Sequence, residues 1–363
     1  MFKYSVKKLV VIDKNLERAI IVKLGIICPS EIAIRRFMPA LQQCDGIDFV
    51  GLGVFNKEER FGSQEISQED FQRIQMSEIE KANVFIDQYG GKLFESYEAI
   101  VTSSEIDALY IPLPPALHYK WAKMALEHGK HVLVEKPSTT SATDTKELVR
   151  IAEEKGLALH ENYMFTFHEQ LDAIEELIKS GELGDVRLYR INFGFPMRAA
   201  NDFRYNKALG GGALIDAGGY TIRYAIRLLG PTAKIRYAQS NYMKQFDVDM
   251  YGSAALCNAD GVTAQIAFGM DNNYKCELEV WGSKGSLTTG RVLTAPVGFT
   301  PTAIIRKGNE DKVIDLPADD AFQKSIRHFV DCIENEKTRK ERYQIIIKQA
   351  EMVDEFKRQA GWI

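Results

Sequence analysis

The chain has 363 residues, with 46 Lys and Arg against 50 Asp and Glu and a formal charge of −4. That length suggests two domains. The dispersed charge excludes a nucleic-acid binder built on a basic face, and no apolar run reaches membrane-span length.

Chemistry-bearing residues are equally dispersed. Met1–Lys8 is charged with no long apolar segment behind it, so no secretory signal is expected and the expected location is cytoplasmic. The five cysteines (Cys28, Cys44, Cys257, Cys276, Cys332) form no CxxC and the six histidines are scattered, so reduced thiols and no metal are expected.

In chain order, residues 1–20 form a leader with one candidate strand, Leu9–Ile12. Ile21–Ile27 reads as a buried strand, and Ser30 can cap a helix running to about Gln43. Ile47–Val54 is a second strand, followed by a long helical stretch from Ser67 to Tyr89. Strand Ala108–Leu113, helix His118–His128, strand His131–Lys136, helix Ser141–Lys155 and strand Leu157–Asn162 come next. This alternation predicts a doubly wound parallel sheet. The second half changes rhythm. A helix at Glu169–Ser180 leads into strands at Val186–Phe193, Ala254–Asn258, Thr263–Phe268, Cys276–Trp281 and Thr302–Arg306. Helices are expected at Leu214–Leu229, Ala321–Asn335 and Arg342–Gln359. This pattern predicts a largely antiparallel sheet covered on one face by helices. The expected domains are 1–160 and 161–363.

In a doubly wound sheet the first strand–helix turn holds pyrophosphate, through G-x-G-x-x-G/A at a helix N-terminus. Here the turn reads Cys28-Pro29-Ser30-Glu31-Ile32-Ala33, so only the last small residue survives. Pro29 removes an amide donor and Glu31 puts an anion in the first helical turn. The second strand ends in Val54-Phe55-Asn56-Lys57, with no ribose-reading acid at the usual place. Lys57 and Arg60 are within reach of a 2′-phosphate, although such exposed cations are more often simply solvated. On these residues the choice between NAD and NADP stays open.

Gly129-Lys130-His131-Val132-Leu133-Val134-Glu135-Lys136-Pro137 resembles the Gfo/Idh/MocA oxidoreductases, the family of glucose-fructose oxidoreductase and inositol dehydrogenase. Four further segments resemble the family in the same order: Tyr110–His118, Glu161–His168, Phe203-Arg204 with Gly210–Tyr220, and Trp281–Leu287. The likeness runs from about residue 22 to the end, with an inserted segment near Phe61–Gln75. Three departures stand out: the missing glycine fingerprint, Pro115 in place of a frequent Asn, and Thr166 in place of a frequent Arg. The resemblance implies an N-terminal Rossmann domain, a C-terminal substrate domain, NAD or NADP as cofactor, and a sugar or sugar-nucleotide substrate. It also implies a homodimer or homotetramer formed through the open face of the second sheet. Thr294-Ala295-Pro296 and Phe299-Thr300-Pro301 resemble members that reduce keto groups on nucleotide-linked deoxysugars.

Carbonyl reduction needs a hydride donor, a group that stabilises alkoxide charge, and a proton source. Lys136 ends a parallel strand, where open α/β sheets bind ligands, and its bond to Pro137 is a candidate cis peptide. A strand-ending lysine is ordinarily a solvated charge; the surrounding motifs make this one the expected catalytic cation. Asp216 and Tyr220 stand four apart, on one helix face that Tyr224 continues. The resemblance implies an acid/base at Tyr220, with Asp216 positioning substrate or Lys136, and Lys136 is expected to lower the Tyr220 pKa. Arg204 is expected to meet a phosphate, with an ordinary ion pair as the alternative. The expected cofactor contacts are Cys28, Pro29, Ser30, Glu31, Ile32, Leu113, Pro114, His118, Glu135 and Lys136; the expected substrate contacts are Lys136, Arg204, Asp216 and Tyr220. His118 is expected on the nicotinamide side of the cleft, with a helix-capping role as the alternative. Two rival functions accompany this reading: a cofactor-free binding or regulatory protein, suggested by the non-glycine turn, and an enzyme that uses bound NAD for an elimination.

Overall fold

The computed structural model describes residues 21–62 and 65–363, so the Leu9–Ile12 candidate lies outside the described residues. The first half is a six-stranded parallel sheet in the order β3-β2-β1-β4-β5-β6. Its strands are β1 (Val22–Ile26), β2 (Ile47–Gly53), β3 (Lys92–Phe94), β4 (Ala108–Ile111), β5 (His131–Val134) and β6 (Leu159–Glu161). All four residues of β4 are buried, as expected for a strand covered by helices on both faces. The strand order reverses between β1 and β4, so a cleft opens beyond their carboxyl ends.

The second half is an eight-stranded sheet in the order β14-β13-β12-β11-β7-β10-β9-β8. Its strands are β7 (Val186–Gly194), β8 (Lys234–Tyr242), β9 (Asp249–Cys257), β10 (Thr263–Gly269), β11 (Lys275–Gly282), β12 (Ser286–Gly290), β13 (Thr302–Lys307) and β14 (Glu310–Asp315). Every neighbouring pair is antiparallel except β7 and β10, which run parallel. Burial alternates along β13, with Ala303 and Ile305 inside and Ile304 outside. The inner face packs against the Gly219–Leu229 helix and the end of the Glu336–Gln359 helix.

Several elements lie beyond the sequence expectations. Strands β3, β8, β12 and β14 and the Tyr97–Thr102 helix were not expected. β3 has three residues and β14 is a mostly exposed, charged edge, so neither carries an apolar pattern. The helix expected from His118 begins at Pro115, because proline fits the first helical position, where no amide bond is lost. The expected helix after Ser30 forms, but with a π turn over Ala33–Phe37. The last two helices return to the first sheet. Ile326 and Phe329 pack beside β1 and β2, and Tyr343 and Ile346 pack beside β5 and β6, while Met352 and Phe356 of the same final helix enter the second core.

Candidate active site

A cleft of about 690 Å³ lies between the carboxyl end of the first sheet and the helical face of the second. That is the size of an ordinary small-molecule site. Lys136 leaves β5 into it, and the Lys136–Pro137 bond is cis. Its Nζ donates to Asp216 Oδ1 at 2.6 Å and to the Asp216 carbonyl at 3.1 Å. Arg204 Nε donates to the other carboxylate oxygen at 2.6 Å, and Arg204 Nη1 to Asp202 at 3.1 Å. Burial alone would raise the Asp216 carboxyl. The Lys136 and Arg204 charges, with their hydrogen bonds, overcome this and hold it well below the usual carboxylate range. Arg204 therefore has its guanidinium engaged by two acids of its own chain: the ion-pair alternative describes its geometry here, not a free phosphate ligand.

Asp216 is carried on a π-helical turn, Leu214–Gly218, whose start is held by buried Asp249. Asp249 Oδ2 accepts from the Leu214 amide at 2.7 Å. A side chain at Gly212, where φ is 121°, would place Cβ 2.3 Å from Asp249 Oδ1, so this approach requires glycine. Burial pushes the Asp249 carboxyl up to about 7, against the backbone amides that favour its ionised form.

Tyr220 follows one turn later, packed edge-on against Tyr163 and Phe193. Lys136 Nζ lies 5.0 Å from the centre of its ring. The expected depression of its pKa is overturned. Burial, then the Glu135 and Asp216 carboxylates, push the phenol up, with the Arg204 charge acting against them. Tyr220 is thus a phenol that keeps its proton. Tyr224 on the same stripe is fully buried core.

On the first-sheet side, Ser30, Glu31, Ile32, Leu113, Pro114 and Glu135 line the cleft. Ser30 Oγ accepts from the Ala33 amide at 3.2 Å, capping the helix. The amides of Glu31 and Ile32 have no partner among the described residues, so two donors at a helix N-terminus stay free for an anion. The site therefore fits a pyrophosphate without the glycine fingerprint. Cys28, Pro29 and His118 do not line the cleft, contrary to expectation. The Cys28 thiol is buried against the Pro112 carbonyl. The His118 ring is fully buried, each nitrogen 2.7 Å from a carbonyl, of Pro137 and of Leu113. It ties together the two turns beside Lys136 instead of facing a ligand, and burial lowers its pKa to about 4. Lys57 and Arg60 are exposed beyond β2, and neither has an ion-pair partner among the described residues.

The walls also hold residues that the sequence reading did not single out. Arg36 lies on the first-sheet side, and Arg198 and Arg291 lie on the second. None of these three has a carboxylate partner among the described residues. The Arg198 guanidinium lies 5.3 Å from the Phe195 ring and that of Arg291 4.6 Å from the Tyr274 ring. The Thr294-Ala295 segment singled out by resemblance lines the same end. Only three-dimensional proximity reveals these arginines; isolated arginines carry no periodic signal in the chain. Folding also gathers His160, His328 and Cys332, whose ligand atoms all lie within 4.8 Å of one another, from a sequence that showed no such cluster.

A doubly wound dinucleotide sheet, a second sheet closing the cleft, and a Lys136–Asp216 pair beside a protonated tyrosine define a two-domain nicotinamide-dependent oxidoreductase. Residues 46–163 match the oxidoreductase family with an NAD-binding Rossmann fold, and residues 171–288 match the GFO/IDH/MocA C-terminal domain. The chain belongs to the Gfo/Idh/MocA family and is an NAD(P)-dependent oxidoreductase; this speaks against the cofactor-free binding protein considered above. The chain is similar to dTDP-3,4-didehydro-2,6-dideoxy-alpha-D-glucose 3-reductase of Actinomadura kijaniata, with 34% identity over 92% of this chain and 94% of that one. A Streptomyces violaceoruber protein of the same name is 39% identical over 77% of this chain and 85% of its own. Among solved structures, KijD10, a 3-ketoreductase from Actinomadura kijaniata in complex with NADP and TDP-benzene, superposes with a TM-score of 0.83 over 92% of this chain and 96% of that one. Variants of that enzyme replace a lysine and a tyrosine spaced along its chain as Lys136 and Tyr220 are here.

Proposed function

We propose that the protein is an NADP-dependent ketoreductase for a dTDP-linked keto-deoxysugar. The observation that carries this reading is the distribution of charge in the cleft. A neutralised Lys136–Asp216–Arg204 centre is flanked by unpaired cations toward both ends, suiting an anionic cofactor on one side and a nucleoside diphosphate on the other. The similar reductases act on a dTDP-linked deoxysugar, and the similar 3-ketoreductase structure holds NADP, in keeping with this reading.

We assign the amides of Glu31 and Ile32, with Arg36, to the cofactor pyrophosphate, and Lys57 and Arg60 to its 2′-phosphate. Arg198 and Arg291 hold the substrate diphosphate, and Phe195 and Tyr274 offer ring faces to its base. When bound, the dihydronicotinamide supplies the hydride. Lys136, fixed by Asp216, faces the oxygen that gains negative charge and stabilises it. Tyr220 gives that oxygen its proton. The raised pKa keeps Tyr220 protonated at neutral pH, the state from which a proton can be given. The chain passes from the dinucleotide domain to the substrate domain after β6, and its last two helices return to the dinucleotide sheet.

The open face of the second sheet carries Tyr237, Trp281, Ile304 and Val313, between 38% and 64% exposed. Such a patch favours a homodimer or homotetramer through that face. Sedimentation giving only the 41.0 kDa monomer at micromolar concentration would refute it.

The deciding assay follows NADPH oxidation with a dTDP-4-keto or 3-keto deoxysugar. Turnover that needs both the nucleotide and the keto group supports the reading. Equal turnover of the free sugar, or no binding of NADPH, overturns it. Product formation from bound NAD without an added redox substrate would point instead to elimination.

A further inference from the structure

A directional hydrogen-bond chain runs from the Ala321–Glu334 helix to Glu135. Glu135 Oε1 accepts from the Tyr110 hydroxyl and from Asn162 Nδ2, each at 2.7 Å. An amide whose nitrogen serves a carboxylate must present its oxygen elsewhere, and Asn162 Oδ1 accepts from Ser325 Oγ at 2.8 Å. That engages the single Ser325 proton. His160 Nε2, 2.9 Å from the same hydroxyl oxygen, must therefore be the donor. The tautomer is fixed, and its consequence is visible: His160 Nδ1 is buried without a partner. His160, Asn162 and Ser325 are each no more than 2% exposed, so no bulk water competes.

The chain ends on one oxygen of one cleft-lining carboxylate. Both acceptor positions of Oε1 are occupied, while Oε2 meets only the Lys136 amide at 3.4 Å. Oε2 is the oxygen left to accept from a ligand hydroxyl or amide. His328 and Cys332 lie beside the His160 ring, but the Arg342 charge acts on all three groups, so this corner disfavours a cation.

We propose that Ser325, through Asn162 and backed by His160, is a positioning residue that holds Glu135 Oε2 toward the ribose–nicotinamide part of the bound dinucleotide. Ser325 itself does not line the cleft. The inference rests on the reading of this cleft as an NADP site.

NADPH affinity is measured by fluorescence titration for the wild type, Ser325→Ala, His160→Gln and Asn162→Asp, with dTDP affinity and the melting temperature as controls. Ser325→Ala weakens NADPH binding about tenfold, the scale of one hydrogen bond serving a charged group, and leaves dTDP affinity unchanged. The cofactor KM rises in parallel while kcat at saturation changes little. His160→Gln keeps a donor to Ser325 and retains near-wild-type affinity. Asn162→Asp faces Glu135 with a second carboxylate, and Tyr110, Lys136 and Tyr220 are the other titratable groups about it. Its NADPH affinity falls as pH rises through the shared ionisation of the two carboxylates, while the wild type stays flat. Unchanged NADPH binding in Ser325→Ala, together with a flat pH profile in Asn162→Asp, overturns the inference and leaves the proposed function intact. Failure of the wild type to bind NADPH overturns both.

Discussion

The middle and the ends of the cleft use charge in opposite ways. At the centre, Lys136 and Arg204 share the two oxygens of Asp216 at 2.6 Å each, and their side chains are 18% exposed or less. Toward the ends, Arg198 and Arg291 are exposed, lean on aromatic rings and pair with no acid among the described residues. A cation already neutralised by its own chain is held in place for chemistry. One left unpaired is available for an anion that arrives from solution.

Substitutions break this contrast in order of size. Lys136→Met removes the cation proposed to stabilise the reacting oxygen, and kcat is expected to fall about 10²–10³-fold with the melting temperature nearly kept. Retention of activity within tenfold would place the chemistry elsewhere. Asp216→Asn leaves buried Lys136 without its anion and Arg204 with Asp202 alone. Turnover should fall, and stability should drop by about 3–5 kcal/mol, the usual cost of breaking a buried pair, read by denaturant titration. Arg198→Ala and Arg291→Ala should each raise KM for the dTDP-sugar about tenfold and leave kcat and NADPH affinity in place, the signature of lost uniform binding. A kcat effect as large as that of Lys136→Met would erase the division between centre and ends. Lys57→Ala with Arg60→Ala should weaken NADPH severalfold but not NADH, since only the former carries the 2′-phosphate.

The smallest effect concerns Asp249. Its carboxyl titrates at about 7 in the folded chain, above its ordinary 3.8. A raised pKa contributes stability that is complete below the unfolded value and is lost as pH rises to the folded one. Asp249 should therefore contribute a decline between about pH 4 and 7, of at most ~1.4 kcal/mol per pH unit, set against the opposite slope of the buried histidines whose pKa values are lowered. The contribution is read as the pH dependence of the stability difference between wild type and Asp249→Asn, and a difference that does not change with pH would refute it.

The fold class and the parallel sheet were legible because strand–helix alternation is a local pattern, while Lys136, Asp216 and Tyr220 drew notice through motifs that resemble a known family. The direction of the Tyr220 shift was not legible, because it depends first on burial of the ring, which residues distant in the chain supply. His118 was misplaced for a related reason. Its position in the motif was correct, but whether the ring faces the cleft or the interior depends on carbonyls brought in by two separate turns. The short β3 and the charged edge β14 carry too few apolar residues to announce themselves.

The return of the final helices has a consequence for synthesis. The dinucleotide sheet is translated first, yet Ile326, Phe329, Tyr343 and Ile346 belong to its core. A nascent chain that has emerged only to residue 320 therefore exposes an unfinished apolar surface on both sides of that sheet. The dinucleotide sheet becomes whole only once residues 326–346 have emerged as well.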